Sequence, residues 1–352
     1  MTGAAAAGRR RRPTLKSVAA EVGLAVTTVS RALNDAPDIG AGTKERVREA
    51  AARVGYVRDR AAHRLRTGRT NVISLLMTPE TDALNHTARL IHGLAAELRG
   101  TGYHLIVTPV FDDEDPLVPL RYVVETGSAD AVVINKIRPE DPRIAYMREA
   151  GLPFATHGRS AMGIEHPFYD FDNAAFAALA LRALARRGRR RTLIVAPPLA
   201  QSYARHIVEG ARVEAAILGI GTAVLEGATT DSPLESMQEA IRAALATGRF
   251  DAVMTASALS GLAADGAAET LGLTVGVDLD VVAKEAQSVL ERVRPAIISV
   301  REDMSAAGSF LARAALQAIR EPGRPPMTHL AVPGEGDVSA PQAGTTRRET
   351  IS

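Results

Sequence analysis

LKSVAAEVGLAVTTVSRALN, residues Leu15–Asn34, is the stretch that decides how the first part of this chain folds. Leu15, Val18, Ala19 and Val22 recur at helical spacing and make one apolar face. Gly23 breaks the pattern, and Val26, Val29 and Leu33 begin a second face that ends at Asn34. Helix, glycine turn, and a second helix with a polar start is the layout of a helix-turn-helix, whose second helix enters the DNA major groove. The side chains that would lead it are Val26 and Thr27, with Arg31 one turn later. A guanidinium at position 31 can fork onto guanine O6 and N7 or clamp a phosphate, whereas Val26 offers only apolar contact, as to a thymine methyl. Thr14, Thr28, Ser30 and Asn34 are candidates for phosphate contacts. A plain three-helix bundle with a solvated polar face fits the same spacing.

Working outward, Asn34–Asp38 has the turn chemistry of a loop. A third helix is expected from about Gly42 to Val54, with Val47, Ala50, Ala51 and Val54 inward and Gly55 as its left-handed stop. On the other side lie four consecutive arginines, Arg9 to Arg12. They read either as a solvated, disordered tail or as a basic arm that adds phosphate contacts. No apolar stretch follows them, so they do not resemble a secretory signal. Residues 1–70 hold 15 Lys and Arg against 6 Asp and Glu, a net +9; the rest holds 27 against 34, a net −7. A basic head on an acidic body points to a polyanionic partner for the head.

The remaining chain has a different texture. Apolar runs at 72–77, 104–107, 131–134, 192–195, 252–254 and 281–282 alternate with helical patterns. That alternation predicts βαβ units and two parallel sheets. At 352 residues and 46% hydrophobic composition, the chain can bury cores without staples. It has no cysteine, which excludes disulfides and thiolate metal sites and fits a reducing cytoplasm. No apolar run reaches membrane-spanning length.

Leu15–Asn34, continued by Thr43–Val47 and Gly55–Tyr56, resembles the signature of lactose-repressor (LacI) family regulators. The resemblance implies an all-α helix-turn-helix DNA-binding head, a hinge helix, and an α/β periplasmic-binding-protein-like body of two parallel-sheet subdomains. With the composition of the two ends, it divides the chain into a disordered basic arm (1–12), a DNA-binding domain (13–59), a hinge (60–70), an effector-binding body (71–333) and a tail (334–352) whose Gly, Thr, Pro and charged residues predict disorder. Within the body, the first subdomain is expected at about 71–185 and 299–326, and the second at about 186–298 and 327–333. Tyr56, and His63 and Leu65 in the hinge, join the DNA-contacting set by resemblance. Leu65 stands where the family places a leucine that wedges into the minor groove and kinks the duplex, an arrangement that trades unstacking for contact. Two departures stand out. Ala25 occupies the N-cap position where the family has serine, and Arg58-Asp59 replaces Pro-Asn.

Ligands of open α/β sheets sit beyond the carboxyl ends of the strands. That rule nominates Thr78, His86, Asn135, Lys136, His157, Arg159, Asp172, Tyr203, Arg205, His206, Ser257, Lys284 and Glu285. Asp172 and Glu285 also match acidic ligand-contacting positions of the family. Amide, guanidinium and carboxylate groups suit vicinal hydroxyls, hence a carbohydrate. There is no tryptophan to stack on a pyranose, and Arg205, His206 and Lys284 supply positive charge, so a sugar acid or sugar phosphate fits as well. No phosphate loop, His-Glu-x-x-His or nucleophile elbow is present, which speaks against an enzyme, a metal site or a cofactor. The DNA head speaks against a transport receptor. A homodimer on a pseudo-palindromic operator follows from the resemblance; the tail lacks the leucine heptads of a tetramerising coil.

Overall fold

The computed structural model describes residues 13–56, 64, 68–78, 86–111 and 114–339. The chain separates into two compact units, 1–70 and 71–352.

In the first unit, α1 (Leu15–Val22), α2 (Val26–Leu33) and α3 (Ala41–Val54) enclose a small core of Val18, Val29, Ala32, Val47 and Ala50. Thr14 and Ser17 cap α1 reciprocally, the Thr14 backbone N–H donating to Ser17 Oγ at 3.2 Å. Gly23 and Gly55 end α1 and α3 with φ of 67° and 68°, the left-handed conformation that glycine adopts without strain. Of the hinge, Arg64 is helical and its carbonyl accepts the Gly68 N–H at 2.8 Å. His63 and Leu65 lie outside the described residues.

The second unit contains β1 (Val72–Met77), α4 (His86–Leu98), β2 (His104–Pro109), α5 (Val118–Thr126), β3 (Ala131–Ile134), α6 (Pro142–Glu149), β4 (Phe154–His157), β5 (Phe168–Phe171), α7 (Asn173–Arg186), β6 (Arg191–Val195), α8 (Ser202–Leu218), β7 (Gly221–Val224), α9 (Leu234–Ala246), β8 (Ala252–Thr255), α10 (Ala258–Thr270), β9 (Asp280–Glu285), α11 (Leu290–Val293), β10 (Ile298–Arg301), α12 (Met304–Arg320) and β11 (Thr328–Ala331). Among the described residues these strands form two sheets, ordered β11-β5-β4-β3-β1-β2 and β10-β9-β8-β6-β7, with parallel pairing throughout both.

Helices cover both faces of the central strands, which are apolar on both sides, as parallel sheets require. In the first sheet, Ile73 and Leu75 pack on α4 and α12, while Val72 and Leu76 pack toward α5 and α6. In the second, Val253 and Val281 face α9 and α10, while Ile194, Met254 and Val282 face α7 and α8. Glycine lets α4 and α12 touch backbone to backbone: a Cβ at Gly93 would meet Ser305 O, and one at Gly308 would meet Leu90 O. Asp141, Asp172 and Asp303 start α6, α7 and α12 by accepting backbone N–H groups at 2.9–3.0 Å.

Three corrections concern subdomain membership. Segment 173–185, expected in the first subdomain, is α7 and packs on α8 and the second sheet. Residues 299–301, also expected there, belong to β10 in the second sheet. Residues 328–331, expected in the second subdomain, pair with β5 of the first. The physical reason is the crossing pattern. The chain passes between the sheets at 171–173, at 301–304 and again after β11, each time at the end of a strand. The tail also differs from expectation at its start. Residues 335–337 form a 3-10 turn, Val338 bridges Val300, and Ser339 N–H donates to Ser299 O at 2.8 Å.

Candidate DNA-reading helix and effector cleft

In the head, α2 presents Val26, Thr27 and Arg31 to solvent, while Thr28, Ser30 and Asn34 are half-buried. Asn34 Nδ2 donates to Ser30 O at 2.6 Å, closing the end of α2 with a bond of its own. Tyr56 packs against the core of the three helices, and Thr14 serves as the α1 cap. Arg31 forms an ion pair with Asp38 in the loop after α2. Ala25 occupies the N-cap in an extended conformation and supplies no side-chain acceptor. Ala25→Ser should therefore stabilise α2 by about 1 kcal/mol. The measurement is amide hydrogen exchange at positions 27–29, which should slow roughly fivefold; unchanged exchange would mean that the cap is satisfied in another way.

In the body, the carboxyl ends of both sheets meet at a cleft. Its centre is Glu302, in the crossover between β10 and α12 and 2% exposed. Lys284 Nζ, at the end of β9, lies 2.8 Å from Glu302 Oε2 and donates to Asn173 Oδ1 at 3.1 Å. The same ammonium sits 5.1 Å from the Phe171 ring centroid and 5.7 Å from that of Tyr203. Across the cleft, His86 Nε2 and His157 Nε2 each stand 3.9 Å from the Glu302 carboxylate. Burial alone would raise the Glu302 pKa, but Lys284, His86 and His157 outweigh it and hold it at about 2. Burial depresses the His157 pKa below its ordinary value, more than Glu302 raises it, so the ring is neutral at pH 7.

Around this centre, Arg159 Nε donates to Asp170 Oδ2 at 2.6 Å. Lys136, at φ 51°, reaches Asp231 of the other lobe at 2.9 Å. Arg89 donates to Gln287 at 3.0 Å, and Ser202 N–H to Ile137 O at 2.8 Å, so polar bonds join the two lobes at several points. Near the start of α8, Gln201 Oε1, Ser202 Oγ and His206 Nδ1 are buried with no hydrogen-bond partner among the described residues.

Of the residues nominated from sequence, His86, His157 and Lys284 converge on Glu302, and the Tyr203 ring lies beside the Lys284 ammonium. Asn135, Lys136 and Arg159 lie at the ends of neighbouring strands, and His206 contributes one of the unpartnered atoms. Thr78 is half-buried at the end of β1. Others have structural duties. Asp172 Oδ1 caps α7, Ser257 forms a capping box with Ser260, and Glu285 Oε2 accepts the Val289 and Leu290 N–H groups at 3.1 and 3.0 Å. Arg205 is exposed and bonds Leu199 O at 3.0 Å.

Residues 14–59 match the model for bacterial regulatory proteins of the lacI family, and residues 181–336 that for the periplasmic binding protein-like domain. The HTH-type transcriptional regulator AglR of Rhizobium meliloti (strain 1021) is 33% identical over 329 residues, 90% of each chain. This chain belongs to the LacI family.

It is similar as well to the transcriptional regulator CelR of Thermobifida fusca, 30% identical over 93% of this chain and 99% of that one. The solved CelR–cellobiose complex superposes with a TM-score of 0.69 at 25% identity, covering 95% of this chain and all of that one. The Lac repressor dimer bound to operator and the anti-inducer ONPF shares the fold, with a TM-score of 0.79 at 20% identity over 95% of this chain and 99% of that one. This LacI-family protein is a DNA-binding transcriptional regulator and not an enzyme. No helix among its described residues is long and apolar enough to cross a membrane.

Sequence reasoning missed Glu302, Asp170, Asn173, Gln201 and Ser202. The rule that looks past each apolar run reaches Glu302 if the run Ile297–Val300 is followed two residues further.

Proposed function

We propose that this regulator binds a pseudo-palindromic operator as a homodimer in the cytoplasm. It represses carbohydrate-related genes, and an uncharged sugar or sugar derivative in the inter-lobe cleft switches it. The observation that carries the effector reading is the charge pattern of the cleft. Lys284, Arg159 and Lys136 each sit on a carboxylate, and Asp172 and Glu285 add further negative charge. A sugar acid or phosphate would have to displace these carboxylates. Near the start of α8, Gln201 Oε1, Ser202 Oγ and His206 Nδ1, unpartnered among the described residues, are groups that hydroxyls can satisfy. The cellobiose bound to the CelR relative supports the same class.

Self-association is supported by one edge of the first sheet. Ile106 and Val107 on strand β2, Phe111, and Val118 and Tyr122 on α5 are large apolar residues, each 42–63% exposed. An uncovered apolar edge strand invites pairing, and a second copy would cover it.

Two measurements test the proposal. Thermal shifts should show stabilisation by neutral mono- or disaccharides above that by sugar acids and phosphates. Stabilisation by a non-carbohydrate alone would sink the sugar reading. Mobility shifts with DNA from upstream of its own gene should show salt-sensitive, sequence-specific binding at micromolar protein or below.

A further inference from the structure

The basic charge of the head is distributed unevenly. Within the three-helix unit, residues 13–56, six Lys and Arg face five Asp and Glu, a net +1. The flanks, 1–12 and 57–70, hold nine basic residues against one acidic, a net +8. The cations of the helical unit are also largely paired within it. Lys44 and Arg48 hold Asp35 at 3.0 and 3.1 Å, and Arg53 reaches Glu21 at 3.4 Å. Arg31 is the only charged residue of α2, and it is paired with Asp38.

We propose that Asp38 is a specificity-determining residue, which by pairing with Arg31 withholds the recognition helix's one cation from phosphate. The inference rests on the reading of α2 as the DNA-reading helix. A lysine or arginine on phosphate adds affinity for any sequence, while the same guanidinium forked onto guanine adds it for one base. A guanidinium has five donors, enough to keep a carboxylate on one edge and present the other. Asp38 thus opposes the indiscriminate contact in two ways. It neutralises Arg31, and it sets a carboxylate beside it that a phosphate must approach. A guanine edge, uncharged, meets no such repulsion. Non-specific attraction is left to the flanking segments, whose charge does not depend on α2.

The test compares the full-length protein with Asp38→Asn and Asp38→Glu, each titrated against its operator and against a scrambled duplex of equal length at low salt. The wild-type protein must first prefer its operator; if it does not, the DNA-reading assignment fails, and not this inference. In Asp38→Asn, affinity for the scrambled duplex should rise about 2–30-fold, the range that two exposed ion pairs, one in each protomer, span. Operator affinity should change by less than about twofold, so that the ratio of the two falls. Asp38→Glu should restore most of the ratio. In an Arg31→Ala background, Asp38→Asn should leave the ratio unmoved. The proposal is overturned if Asp38→Asn raises both affinities equally, or if the ratio falls by the same factor whether or not Arg31 is present.

Discussion

Glu302→Ala should lower the melting temperature of the body by on the order of 10 °C, because it strands the Lys284 ammonium in the protein interior. Breaking a buried ion pair from one side costs about 3–5 kcal/mol, and in a domain of this size each kcal/mol is worth about 2–4 °C. Lys284 is 5% exposed and Glu302 2%, so water cannot replace the lost partner. The decisive comparison is a double-mutant cycle. Adding Lys284→Met to Glu302→Ala removes the stranded charge, and the double variant should recover much of the loss. If it melts no higher than Glu302→Ala, the pair is not what holds this region together.

The same pair sets an acid limit. The folded-state pKa of Glu302 is about 2, below the ordinary carboxylate value of 4.5. A depressed folded pKa contributes stability that is complete above the unfolded value and lost as pH falls toward the folded one. Glu302 therefore contributes about 3 kcal/mol above roughly pH 4.5, and that contribution fades between about pH 4.5 and pH 2. Glu302→Gln should flatten stability across that window and change little in its slope above it.

Glu302 also marks where sequence reading stopped. The head was legible because its helices are local: Leu15–Asn34 carries its own periodicity, and Gly23 and Gly55 their own stops. The apolar runs from Val72–Met77 to Val281–Val282 likewise announced the central strands. The short strands were not legible. Phe168–Phe171 contains Asp170, Gly221–Val224 is half glycine and threonine, and Thr328–Ala331 contains a histidine. Four residues of that kind give no periodic signal. The cleft suffered from the same locality. Glu302 matters because β9, α4 and β4 bring Lys284, His86 and His157 around it, and those come from three distant parts of the chain. Glu285 is the converse case. Its position suggests a ligand contact, while its carboxylate is occupied with the first turn of α11.

Arg31→Ala should weaken operator binding about 30- to 20,000-fold. A guanidinium forked onto guanine is worth about 1–3 kcal/mol, and a dimer on two half-sites loses the contact twice. The alternative role for Arg31, a phosphate clamp, predicts a different signature. Loss of a phosphate contact weakens all sequences alike and shallows the salt dependence by about one unit per protomer. Arg31→Lys separates the two roles: it keeps the charge and loses the fork. For a base-reading Arg31, the lysine variant should bind scrambled DNA like the wild type and bind the operator much more weakly. Equal operator binding by Arg31→Lys and wild type would assign Arg31 to the backbone. Base readout by α2 would then rest on Val26 and Thr27, an apolar side chain and a hydroxyl, with far less power to tell one base pair from another.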